Sequence, residues 1–303
     1  MSDDRDGRER NRATIERAVQ ACYSSWAETY FDQYYSSPTA YPPVHQEIIR
    51  HLLAEVAPGK VLDAGCGPGS MLRGLTGLGL DLFGFDLTVE MVDEARRVMA
   101  PSVAEEHLWQ GSVVEPSAYL HTPYDAAMCI GVLPHIEASD DDALLCNLHG
   151  AVRPGGLVIL EARNQLFSLF TLNRYSREFF LSELIRPETL ADADGAALAV
   201  ALAELDERFR LDLPNVRRGT ERDPGYDEVL SRTHNPLVFR QQMEAAGFER
   251  IECLFYHYHA LPPMLEQHFP EMFRVRSLAL ENPRDWRGHF MASAFLMTGR
   301  RAE

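Results

Sequence analysis

Apolar positions along the chain fall into two rhythms. Short apolar runs with polar residues at one or both ends, Lys60–Asp63, Asp81–Asp86, His107–Gln110, Tyr124–Ile130 and Leu157–Glu161, read as buried strands. Between them the spacing lengthens to the helical period. A helix is predicted over 45–56 and another from about Ser70, carrying Met71, Leu72 and Leu75. A third carries Leu87 and Met91, and a fourth over 139–151 presents Leu144, Leu145 and Leu148. Such alternation within about 100 residues predicts right-handed parallel crossovers and a doubly wound α/β sheet.

Both flanks of this region read differently. Residues 1–12 are polar and of mixed charge, and are expected to form a disordered arm. Helical spacing then appears in Ile15, Ala18, Val19, Cys22, Trp26, Tyr30 and Tyr34, predicting helices over 13–44. After Arg163 comes an aromatic segment, Asn164–Tyr175, then an acidic helical stretch over 187–210 and polar residues to Asn235. An insertion of roughly 70 residues is too long for a plain crossover, so 164–235 is predicted to form a helical cap. Pro236 opens a helix with Phe239, Met243 and Ala246 on one face. Strands are expected over 248–259 and 289–299, the latter alternating through Phe290, Ala292, Ala294 and Leu296.

Composition narrows the function. With 46% hydrophobic and 24% charged residues, the 303-residue chain reads as a soluble globular protein, with no membrane-spanning run and no signal peptide. A net charge of −16, with 29 scattered Lys and Arg, argues against nucleic acid and for a small-molecule substrate. Five cysteines without paired spacing point to reduced thiols in the cytoplasm.

The chemistry concentrates in Asp63-Ala-Gly-Cys-Gly-Pro-Gly69. Glycines 65, 67 and 69 allow a sharp turn and close approach to a ligand. A dinucleotide fingerprint needs a third glycine where Ser70 stands, and a carboxylate beside the turn would repel a pyrophosphate. Asp63 favours a ligand with an ammonium group and no phosphate, which describes S-adenosylmethionine (SAM). Asp86, twenty-three positions on, is placed to accept ribose hydroxyls.

Asp-x-Gly-x-Gly-x-Gly at a strand end resembles the first motif of class I SAM-dependent methyltransferases of the small-molecule type. Tyr124-Asp…Leu133-Pro-His-Ile136 and Arg153-Pro-Gly-Gly156 before an apolar strand are similar to later landmarks of that family. The resemblance covers roughly 45–163 and 236–300, which it identifies as a SAM-binding Rossmann-like domain (45–163 with 236–303), but not the cap. It implies a seven-stranded sheet of order 3-2-1-4-5-7-6 with the seventh strand antiparallel. It also implies that Tyr23 or Tyr30 closes over the methionine end and that Leu87 and Met91 flank the adenine. Gly111, Ser112 and Val113 would follow the third strand at the adenine. Ser112 stands where the family commonly has Asp. Ile130 would offer a backbone carbonyl to the cofactor ammonium. Cys66 lies within the turn itself.

Transfer to oxygen or nitrogen needs a base, for which His135, His234 and His257 are candidates. Period-two alternation sets His257 and His259 on one strand face and Tyr256 and Tyr258 on the other. With His268 and His289 they could be imagined around a metal, but no Cys or carboxylate has ligand-like spacing, so no metal is expected. Asn164, Asn173, Arg174 and Tyr175 would suit a polar substrate at the cap entrance. Methyl transfer to O, N or C of a small molecule is the expected reaction. A non-catalytic SAM-binding module and a nicotinamide-dependent oxidoreductase remain the alternatives.

Overall fold

The computed structural model describes residues 2–30, 42–185, 229–268 and 270–303, with a few positions between 199 and 209. Most of the acidic stretch expected to be helical over 187–210, half of the predicted cap, and Tyr34 of the helices expected over 13–44 therefore lie outside the described residues.

Seven strands form one sheet of order β3-β2-β1-β4-β5-β7-β6. They are β1 (Lys60–Ala64), β2 (Asp81–Asp86), β3 (Leu108–Gln110), β4 (Tyr124–Cys129), β5 (Val152–Arg163), β6 (Phe248–Tyr258) and β7 (Ala292–Arg301). The first five pair in parallel, and β7 runs antiparallel between β5 and β6. Successive residues feed opposite faces. Leu62 and Phe83 join the core under α5 (Asp141–Ala151) and α6 (Pro236–Ala245), whereas Val61 and Leu82 join that under α2 (Val44–Ala54), α3 (Ser70–Leu75) and α4 (Val89–Met99).

Several expectations need correction. The arm expected over 1–12 is, from residue 2 onward, part of a helix: α1 runs Ser2–Ser24. Its Arg and Glu residues are good helix formers. Its polar side chains are also tied to the sheet domain, Asn11 to Glu137 and Arg12 to Glu115 at 2.9 Å. Arg153–Gly156 is not a plain turn before β5 but a bulge inside it. Tyr124 pairs with Val152 and Ala126 already with Leu157. A Cβ on Gly156 would meet the Arg153 carbonyl at 2.7 Å, which explains the glycine. The seventh strand starts three residues late, because Gly288–Met291 forms a helical turn that leaves Phe290 on the surface.

Of the alternation assigned to the end of β6, the tyrosine half fails. Tyr256 packs with Leu254, Ala294 and Leu296, whereas Tyr258 packs with Phe255, Phe295 and Ala292 on the other side. His257 sits between them at φ 61°, a left-handed conformation that turns the strand and overrides the two-residue period.

Candidate functional site

The cavity opens at the carboxyl ends of the parallel strands, where α/β sheets bind ligands, and encloses about 250 Å³. Its floor is the glycine turn. The N–H groups of Gly65 and Cys66 both donate to the Phe85 carbonyl (2.8 and 2.9 Å), fastening the turn to β2. Gly65 has φ 86°, and a Cβ there would lie 2.3 Å from Cγ2 of Val132. Gly67 has φ 51° with nothing within 4 Å of its Cβ position, so this face stands open to a ligand. Gly69 does not line the cavity. It caps α3 at φ 79°, and a Cβ there would press on Met99 at 3.1 Å, so its part is helix packing rather than ligand contact. Burial pushes the Cys66 thiol up, so it is unreactive.

Two carboxylates face this turn. Asp63 is 1% exposed, and neither oxygen has a hydrogen-bond partner among the described residues, nor does the buried Oγ of Ser70. Burial first, and then the neighbouring Asp86 charge, push the Asp63 carboxyl up to about 8. Asp86 is partnered: Oδ2 accepts from Gly67 N–H and Oδ1 from Thr88 N–H, each at 2.9 Å. Burial raises its pKa, and these N–H groups oppose the rise.

Beyond Asp86, Leu87, Met91, Gly111, Ser112 and Val113 continue the wall, and Ile130 continues it on the opposite side of Asp63. Helix α1 crosses the opening with one face. Ser112 Oγ donates to Glu16 Oε1 (2.7 Å), Gln20 Nε2 to the Leu87 carbonyl (3.0 Å) and the Tyr23 hydroxyl meets His135 Nε2 (3.0 Å). Positions 16, 20 and 23 form a helical stripe, which explains how one helix reaches from the β3 end to the β4 end. Tyr30 lines the cavity beside Tyr23, with ring centroids 6.2 Å apart.

The three candidate bases separate. His135 faces the cavity, but its Nδ1 lies 2.7 Å from the Leu230 carbonyl, so both ring nitrogens are engaged. Burial pushes it to about 4, and Arg163 adds to the fall. His234 is not on the lining. It is buried against Phe239 and lies 3.7 Å from Asp141, whose carboxylate takes the Arg232 guanidinium at 2.6 and 3.0 Å. Arg232 also donates to the Ile136 carbonyl (2.8 Å), so this network braces the loop after β4 from behind. His257 is not on the lining either. Its ring stacks on His259 at 5.3 Å, and burial pushes it to about 4. Asn164 and Asn173 are both buried, and Asn173 caps the short helix Arg174–Phe179, so neither is a substrate contact.

Among the titratable residues of the lining, sequence reasoning missed four: Glu16, His45, Glu161 and Arg163. Glu161 had a signal, being the first polar residue after the apolar run of β5, as Asp63 is on β1. His45 had none. Among the described residues no group of three or more His, Cys, Asp or Glu is arranged to hold a metal ion, and no helix is long and apolar enough to cross a membrane.

A family model described as a methyltransferase domain matches residues 41–252. A ubiquinone biosynthesis O-methyltransferase from Xanthomonas axonopodis pv. citri is 29% identical over 137 residues, 45% of this chain and 56% of that protein. One from Thiobacillus denitrificans is 26% identical over 192 residues, 63% of this chain and 75% of that protein. This chain thus spans little more than half the length of the first relative. A SAM-dependent methyltransferase structure from Archaeoglobus fulgidus overlays with a TM-score of 0.46 at 13% identity, covering 84% of this chain and 94% of that one.

Proposed function

Starting from a chain that belongs to the methyltransferase-domain family, whose methyl donor is SAM, we propose that it methylates an oxygen atom of a small-molecule acceptor. The observation that carries the reading is the buried, unpartnered Asp63 carboxylate beside an open glycine turn. Ionising this carboxyl without a partner would be costly, and a cationic hydrogen-bond donor is what would let it ionise.

The residues present fit the cofactor. Asp63 and the Ile130 carbonyl would hold its ammonium, and Asp86 its ribose hydroxyls. Leu87 and Met91 would flank the adenine above Gly111, Ser112 and Val113. Glu16, bonded to Ser112, brings from α1 a carboxylate for the adenine amino group where the strand end itself has only a serine. Bound there, SAM supplies a methyl group already activated by its sulfonium. The protein's part is to orient the acceptor, exclude water beneath α1 and accept the acceptor's proton.

Oxygen as the acceptor atom is supported by the relatives named O-methyltransferases. The net charge of −16 favours a small molecule over nucleic acid, and the five free thiols favour a cytoplasmic setting. The insertion over 164–235 is assigned to the acceptor side. Its C-terminal end is stitched to the cavity wall through Leu230 on His135 and Ser231 on Arg163.

Titration calorimetry with SAM and with NAD, followed by transfer of labelled methyl to a panel of hydroxylated metabolites, tests the reading. Tight SAM binding with labelled product supports it. Binding of NAD instead overturns it, and SAM binding without transfer to any acceptor reduces the chain to a binding module.

A further inference from the structure

The C-terminal edge of the sheet is a ruler for the site. Gly111–Val113 follow β3, Asp86 ends β2, Asp63 lies at the end of β1, and Ile130 follows β4. The next strand outward is β5, which ends in Glu161 and Arg163. Adjacent strands lie ~4.8 Å apart, so Glu161 is about 10 Å from the line of Asp63. If the cofactor runs from β3 to β4, the cavity wall at β5 belongs to the acceptor.

Three groups from different parts of the chain converge on that wall. Glu161 lies close to β4, since a Cβ built on Gly131 would be 3.8 Å from its Oε2. The Tyr256 hydroxyl, from β6, donates to Glu161 Oε1. His45, in the first turn of α2, lines the cavity and packs its ring on Tyr256 with centroids 5.1 Å apart. Nothing in the cofactor cradle uses these groups. They form a carboxylate, a phenol and an imidazole at the edge where the acceptor would sit.

We propose that His45 is the general base for the acceptor hydroxyl and that Glu161 and Tyr256 are its positioning residues, an inference that rests on the SAM-methyltransferase reading. The acceptor O–H bond breaks and its proton passes to a ring nitrogen of His45, forming an imidazolium. The oxygen lone pair forms the new O–C bond, while the S–C electron pair stays on sulfur as a neutral thioether. The imidazolium then returns its proton to solvent. Glu161 stabilises the imidazolium by charge, and the Tyr256 hydroxyl fixes the carboxylate.

Other titratable groups set the base strength. Glu161 from β5 and Tyr256 and His257 from β6 face His45. Burial lowers its pKa, and Glu161 offsets part of that fall. A positive imidazole is further disfavoured in the first turn of a helix. His45 is therefore neutral at physiological pH and suited to an acceptor whose own pKa is near 10, a phenol-class hydroxyl rather than an aliphatic alcohol.

The test uses the full chain with labelled SAM and a panel of phenols beginning with catechol. Calorimetry with SAM comes first, and His45→Gln should keep its Kd within about threefold while kcat falls at least about a hundredfold. Added imidazole should restore part of the transfer in His45→Ala, which a structural role would not do. In the cofactor-free protein, NMR titration of His45 should show its pKa falling in Glu161→Gln, and the acidic limb of the kcat profile should move down with it. Retention of kcat in His45→Gln, no imidazole rescue, or SAM binding without methylation of any phenol overturns the proposal. Failure of the wild type to bind SAM strikes the cofactor reading itself, and is seen in the first titration.

Discussion

The hydroxyl of Tyr23 lies 3.0 Å from Nε2 of His135, whose other nitrogen faces the Leu230 carbonyl at 2.7 Å. A carbonyl only accepts, so Nδ1 carries the proton and Nε2 receives the Tyr23 hydroxyl. One neutral imidazole thereby joins α1, the loop after β4 and the chain returning from the insertion. It acts as a latch, and its lone pair is already committed. Tyr23→Phe keeps the ring and removes the bond. It should weaken SAM binding about fivefold, from ~1 kcal/mol of hydrogen bond, and speed amide exchange in α1 but not in β1 or β4. Unchanged exchange in α1 would show that other contacts hold the helix shut.

Asp63 sets function against stability. In the folded, cofactor-free protein its carboxyl keeps a proton up to about pH 8, whereas an unfolded chain releases it near pH ~4. The folded state binds more protons between these values. Its contribution to stability is therefore complete below ~4 and lost as the pH rises through about 8. Asp63→Asn imitates the protonated form at every pH. It should melt a few degrees above wild type at pH ~8.5, match it near pH ~4, and bind SAM about thirtyfold more weakly. A lower melting temperature at the higher pH would mean that the carboxylate is compensated in the free protein.

The same group predicts a proton balance. If the ammonium of SAM selects ionised Asp63, binding at pH ~7 should release close to one proton, and affinity should climb toward pH ~8. Calorimetry in buffers of different ionisation enthalpy measures that number directly. Asp63→Asn should reduce it to near zero. Equal release by both proteins would assign the proton to another group.

The cradle was legible in the sequence because it depends on local chain geometry. Asp63, Gly65, Gly67 and Asp86 each stand at a strand end, and period and turn chemistry alone bring them together. The lid was legible only as a helix. That Glu16 would meet Ser112 follows from how α1 docks, 96 positions away, which no local pattern encodes. The histidines misled for the same reason. His234 and His257 lie near the correct strand ends, but a salt-bridged brace holds one and a left-handed residue turns the other. His45 was silent, since its neighbours Glu161 and Tyr256 come from strands more than 100 residues downstream.

Asn164, which its sequence neighbourhood marks as a substrate contact, is instead a structural knot. Its Nδ2 donates to the carbonyls of Ala292 (2.8 Å), His289 (2.9 Å) and Gly288 (3.1 Å), and its Oδ1 accepts from Leu166 N–H (3.1 Å). Its backbone N–H bonds Ser293 at 2.9 Å, so the side chain sits where β5 ends and the helical turn before β7 must be held. Asn164→Ala would strand one buried donor and up to three acceptors, at a cost of about 2–4 kcal/mol. Urea unfolding should show the midpoint falling with the slope unchanged. Asn164→Asp should be at least as damaging, because a carboxylate facing three carbonyls has no proton to give unless it stays protonated. SAM affinity of the folded fraction should stay within about twofold in both variants, since none of these contacts reaches the cofactor cradle. Loss of SAM binding or of acceptor affinity without loss of stability would return Asn164 to the substrate site.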